Sequence, residues 1–120
     1  MRYLLLIYAD ERAPAKPQDE QAAVMDAWFK YSGAFQQSGK MLGGEALQPT
    51  ATATTVRLAA GKTLISDGPF AETKEQLGGY FLIDATDLDE AIEWASKMPH
   101  LPEGGSVEAR PIMEFDIPQP

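Results

Sequence analysis

Cysteine is absent from the 120-residue chain and histidine occurs once. Disulfides, thiolate nucleophiles and Cys-ligated zinc are thereby excluded, and one imidazole is too few for an ordinary transition-metal site. Long apolar runs are missing too. The only one near the N-terminus, Tyr3–Tyr8, is too short for a signal-peptide core or a bilayer span. Positive charge is scarce: 10 Lys and Arg stand against 18 Asp and Glu, a net charge of −8. That average field repels a polyanion, so direct nucleic-acid binding is not expected. No Gly-x-Ser-x-Gly elbow, phosphate-binding glycine loop or EF-hand spacing occurs. The expectation is a soluble cytoplasmic protein with no cofactor, no bound metal and no membrane contact.

What is present suits one domain. Hydrophobic residues make up 44% and charged residues 23% of the chain, close to the average for soluble domains. No repeat or internal boundary appears, so residues 1–116 read as one domain and 117–120 as a tail. Arg2–Ala9 reads as a strand, followed by a Pro-containing loop. Val24, Trp28, Tyr31 and Phe35 draw an apolar stripe along a helix over 19–38, widened by Met25 and Phe29. Gly39 supplies its left-handed stop. Met41–Leu47, Thr52–Leu58 and Thr63–Ser66 read as strands, the last two forming a hairpin around Gly61-Lys62. Residues 67–79 are polar and glycine-punctuated, with a helical turn expected around 71–76 and a bulge at Gly78-Gly79. Tyr80–Asp84 is a strand. Asp87 and Glu90 have capping-box spacing for a helix over 87–98. That helix would bury Leu88, Ala91, Ile92, Ala95 and Met98, and Pro99 ends it. Val107–Phe115 alternates, and Pro111 places it at an edge or a bulge.

The order β-α-β-(β-β)-β-α-β predicts an α+β fold: a ferredoxin-like βαββαβ core with an added β-hairpin. Its antiparallel sheet carries both helices on one face. Yet Tyr3–Tyr8 and Tyr80–Ile83 are apolar without interruption, so both sheet faces need cover. A second copy packed sheet to sheet would supply it, giving a homodimer with ligand clefts at its rim. The other solution is for the hairpin and tail to fold over that face.

Asp67-Gly68-Pro69-Phe70-Ala71-Glu72-Thr73-Lys74-Glu75 holds the densest chemistry. Asp67 ends a strand, and Pro69 holds the chain behind it. A carboxylate there can act as general acid or base once drawn out of water. Equally, it can cap its own turn by accepting backbone N–H bonds. Gly68, Phe70, Glu72 and Lys74 are ligand-binding candidates beside it: Lys74 suits a carboxylate or phosphate, and Glu72 can serve as an acid. The alternative is a solvated turn with local charge pairs. Arg2, Arg57 and Arg110 lie on three strands and either clamp an anion or pair with Glu108 and Glu114 across strands. His100 reads as an exposed loop residue, with acid–base work as the alternative.

The string DGPFAETKEQLGGYFLIDATDLDEAIEWASKMP resembles the DGPF branch of the YCII-related proteins, as do Gly43–Leu47, Thr52–Arg57 and Ser106–Ile112. The resemblance runs in order along nearly the whole chain. It implies a ferredoxin-like dimer assembled as an α+β barrel, and no established activity. Some such proteins are encoded beside, or fused to, sigma factors of the extracytoplasmic-function type. A few relatives resemble muconolactone isomerases. In the wider group a histidine near the first helix and the aspartate of the Asp-Gly step form an acid–base pair. Asp67 matches that aspartate, but residues 10–40 contain no histidine. Two functional expectations follow. One is a small-molecule enzyme of isomerase or lyase type, with Asp67 as proton carrier in a dimer-rim cleft and a small anionic or cyclic metabolite as substrate. The other is a non-catalytic ligand-binding or regulatory module associated with a sigma factor.

Overall fold

The computed structural model describes residues 1–116; the tail expected over 117–120 lies outside them. The elements run β1 (Arg2–Ala9), α1 (Gln18–Gln37), β2 (Met41–Ala46), β3 (Thr54–Ala59), β4 (Lys62–Asp67), β5 (Gln76–Asp84), α2 (Leu88–Ser96) and β6 (Ser106–Pro111). Four strands form one antiparallel sheet in the order β2-β5-β1-β6, while β3 and β4 pair only with each other. This is the ferredoxin-like α+β arrangement with a separate hairpin.

Pleating explains how the sheet is used. Side chains alternate along a strand, so Tyr3 and Leu5 of β1 and Phe81 and Ile83 of β5 turn to the helices and are buried. Leu4, Leu6, Tyr8, Tyr80 and Leu82 turn the other way and stay half-buried. Both faces of the central strands are therefore apolar, and the hairpin does not fold across the open one. Of β3 and β4 only Thr55 is even half-buried. β6 is an edge strand, where Pro111 interrupts no ladder.

An aromatic cluster joins the helices to the sheet. Phe35, fully buried, stacks on Trp94 with centroids 4.1 Å apart and planes 2° from parallel. Tyr31 packs edge-on against Phe35 and Phe81 and donates its hydroxyl to the Trp94 carbonyl at 2.8 Å. Burial raises the Tyr31 phenol above its ordinary pKa. Gly39 ends α1 with φ +74°. Asp87 accepts from the Glu90 N–H at 3.0 Å, and Glu90 in return accepts from the Thr86 N–H at 3.0 Å.

Several local expectations change. The helical turn over 71–76 does not form; residues 71–75 are bends and irregular chain, and β5 starts at Gln76. A short 3-10 turn over Thr50–Thr52 delays β3 to Thr54. Leu88 and Ile92 are 47% and 50% exposed. α2 meets the core along Ala91, Trp94 and Ala95, with Met98 buried just beyond its end, because a nine-residue helix on a narrow sheet buries a thin stripe. The alternating segment stops pairing at Pro111, leaving Met113 and Phe115 exposed.

Candidate functional site

Two hollows flank the sheet. The smaller, about 320 Å³, lies over the 69–76 segment and is lined by Glu11, Arg12, Thr50, Pro69, Glu72 and Gln76, among others. Several of its polar groups are engaged with neighbours. Glu11 accepts from the Thr50 N–H and hydroxyl at 3.0 and 2.7 Å, and its own N–H donates to the Gln76 side chain at 2.8 Å. Arg12 donates to Asp10 at 3.0 Å and to the Lys74 carbonyl at 3.2 Å. The Arg12 guanidinium holds the Asp10 carboxyl below its usual range. These contacts latch the 69–76 segment to the end of β1.

The larger cavity, about 600 Å³, opens between α1, from Met25 to Gln36, and the strands β2, β5 and β1. Met25 and Phe29, which the sequence stripe places against the core, are 55% and 69% exposed and instead form the cavity's outer wall. Trp28 and Phe81 line it from within. On the sheet side glycine lets the wall pack closely. A Cβ on Gly44 would lie 2.7 Å from Phe81 Cδ1, and one on Gly79 would lie 2.8 Å from the Glu45 carbonyl oxygen.

His100 stands in the wall of this cavity. The expectation of an exposed loop residue is wrong, since the side chain is 8% exposed. The imidazole stacks on Trp28, centroids 5.5 Å apart, which brings a histidine to α1 from the far end of the chain. Nε2 lies 2.9 Å from the Ser106 carbonyl oxygen. A carbonyl only accepts, so Nε2 carries the proton, and in the neutral ring Nδ1 presents a lone pair. That Nδ1 is buried with no hydrogen-bond partner among the described residues. An unpaired buried acceptor costs about 1–3 kcal/mol. Gly105 leaves room for the ring: a Cβ there would collide with His100 Cδ2 and sit 2.9 Å from the Tyr8 carbonyl oxygen. The sequence signal was the glycine pair after a Pro-flanked histidine. Its meaning depends on the loop folding back onto α1, which spacing does not show.

The residues favoured by sequence lie elsewhere. Asp67 ends β4 opposite Thr54, exposed, and its carboxylate makes no hydrogen bond among the described residues. Gly68, with φ +94°, closes the hairpin root by donating to the Ala53 carbonyl at 2.7 Å. Phe70 is 77% exposed. Glu72 lines the smaller hollow, and Lys74 is exposed beside it. None of the five lines the larger cavity. Arg2 pairs with Glu114 through two bonds of 2.7 and 2.8 Å, and Arg110 pairs with Glu108. No cluster of three or more His, Cys, Asp or Glu fit to hold a metal occurs among the described residues. Nor is any helix among them long and apolar enough to cross a membrane.

Fold and cavity together define an α+β protein with one apolar, histidine-bearing pocket under its first helix. The YCII-related domain model matches residues 1–116, and the chain belongs to that family. It is 41% identical over 114 residues to an uncharacterized protein of Rhizobium meliloti (strain 1021), covering 93% of this chain and 92% of that one. Among solved structures it is similar to 5-chloro-2-hydroxyhydroquinone dehydrochlorinase from Burkholderia phenoliruptrix AC1100, in complex with 2,5-dihydroxybenzoquinone. That likeness covers 96% of each chain at 14% identity with a TM-score of 0.49, and it carries no argument about activity.

Proposed function

We propose that this YCII-related protein binds a small cyclic molecule in the cavity between α1 and the sheet, with His100 as its hydrogen-bond and proton acceptor. The observation behind the reading is the state of His100: buried, oriented through Nε2 by the Ser106 carbonyl, and unpartnered at Nδ1. A small rotation of the ring that opens this nitrogen to the cavity would let a ligand O–H or N–H satisfy it. The aromatic walls would cover a ring, as binding pockets with few polar groups in apolar surroundings do. A bound donor acidic enough to yield its proton makes His100 a general base, which is the chemistry of an isomerase or lyase. Asp67 enters such chemistry only where a second copy brings it to the site, since its own chain keeps it outside. The same reading takes the protein as a homodimer packed through the open sheet face of Leu4, Leu6, Tyr80 and Leu82.

A thermal-shift panel of small cyclic carboxylic acids and phenols tests this, read together with the nitrogen resonances of the single imidazole. A compound at about a hundred times its dissociation constant stabilises by about 2.7 kcal/mol, roughly 10 °C for a chain this long. It should also move the His100 resonances and lose its effect in His100→Asn while keeping it in Asp67→Asn. A panel that leaves both the melting temperature and the imidazole unmoved refutes the reading.

A further inference from the structure

A two-stranded ribbon is at best marginally stable alone in water, yet the β3–β4 hairpin stands beside the fold with no other element packed closely against it. Its register pairs Val56 with Ile65, Leu58 with Thr63 and Thr54 with Asp67. Alternation therefore places Val56, Leu58 and Ile65 on one face, and they are 62%, 77% and 70% exposed. Arg57 and Lys62 share the opposite face, and neither has a carboxylate partner among the described residues, whereas most other cations pair within the chain. The hairpin is thus an apolar and locally basic arm on a chain of net charge −8.

The dimensions point to what covers it. A compact chain of this mass should expose about 6,400 Å² and have a radius of gyration of about 14 Å. This one exposes 8846 Å² with a radius of 16.9 Å. The excess is about 2,400 Å² per chain, or twice that per pair, within the range that permanent homodimers bury.

We propose that the β3–β4 hairpin is a clasp that closes on a second copy of this chain, laying its Val56–Leu58–Ile65 face on that copy. The occupant is a second copy because the missing burial is of dimer size. The acidic body of an identical chain also complements Arg57 and Lys62. Strands of six residues reach about 20 Å, enough to pass beyond the sheet edge. Asp67 stands on the clasp's apolar face at its root, so closure sets this carboxylate at the margin between the two copies. The clasp rests on the homodimer reading and is independent of any cavity ligand.

Sedimentation equilibrium of the full chain tests it, comparing wild type with Leu58→Thr/Ile65→Thr, which keeps strand propensity, and with Arg57→Glu/Lys62→Glu. The wild type should be a dimer at micromolar concentration. The first variant should raise the dissociation constant roughly a hundredfold or more. The second should weaken the dimer further as salt is lowered. Circular dichroism of each variant should match wild type, since no other element of its own chain packs closely against the arm. A dimer of unchanged affinity in both variants overturns the clasp and leaves a sheet-to-sheet dimer standing. A monomeric wild-type chain overturns both.

Discussion

Replacing Gly105 with alanine gives the sharpest test of how His100 is held. Gly105 does not occupy the left-handed region, so alanine meets no backbone penalty. By stiffening the unfolded chain it should even stabilise, by about 0.4–1 kcal/mol. The new Cβ, however, would fall on the imidazole and 2.9 Å from the Tyr8 carbonyl oxygen. That carbonyl is held in the β1–β6 ladder, so the ring must leave. Departure breaks the 2.9 Å contact with Ser106, worth about 1 kcal/mol, and the stacking on Trp28, worth about 0.5–1.5 kcal/mol. Against these losses stand the unfolded-chain gain and the rehydration of Nδ1, itself worth about 1–3 kcal/mol, so the melting temperature should move by no more than roughly 10 °C either way and the imidazole spectrum carries the test. Because the chain has one histidine, long-range nitrogen–proton spectra show a single imidazole. Wild type should display the tautomer protonated at Nε2, and Gly105→Ala should display a mixed, solvent-averaged ring. A variant whose imidazole spectrum is unchanged from wild type would refute the packing argument.

Two further outcomes follow from geometry. Ala60 turns the hairpin with φ +52°, ahead of Gly61 at +77°, the shape that favours Asn-Gly. Ala60→Asn should relieve about 1 kcal/mol of left-handed strain and slow amide exchange in β3 and β4 severalfold; unchanged exchange rates would count against it. The Arg2 guanidinium lowers the Glu114 pKa through its hydrogen bond and charge. A carboxyl whose folded pKa lies below its unfolded one contributes stability above the unfolded value, about 4.3. That contribution is lost as pH falls through the folded value. Glu114 should therefore titrate below the ordinary glutamate range in carbon-detected spectra, and Arg2→Gln should return it there.

Pattern and propensity reached far along this chain because the elements are locally encoded. Val24, Trp28, Tyr31 and Phe35 share a helix face at any tertiary arrangement, and Asp87 caps α2 from three residues away. Gly39 ends α1 through its own backbone freedom. The succession of strands and helices along the chain, the apolar second sheet face and the unfavoured interior position of β6 follow from local strand and helix signals, from the unbroken apolar runs Tyr3–Tyr8 and Tyr80–Ile83, and from Pro111. Membership of the YCII-related family was carried by contiguous residues for the same reason.

Burial of a single polar side chain has no such local code. Asp67 stood out because Asp-Gly-Pro is conspicuous along the chain, yet its carboxylate lies exposed at the root of an arm. His100 looked idle, and is buried because the loop after α2 folds back onto Trp28 of α1 and sets the ring beneath it. The same holds for Met25 and Phe29, whose apolar character is plain in the residue pattern. Whether they fill the core or wall a cavity was settled by the distance α1 keeps from the sheet, which sums contributions from every contact between them.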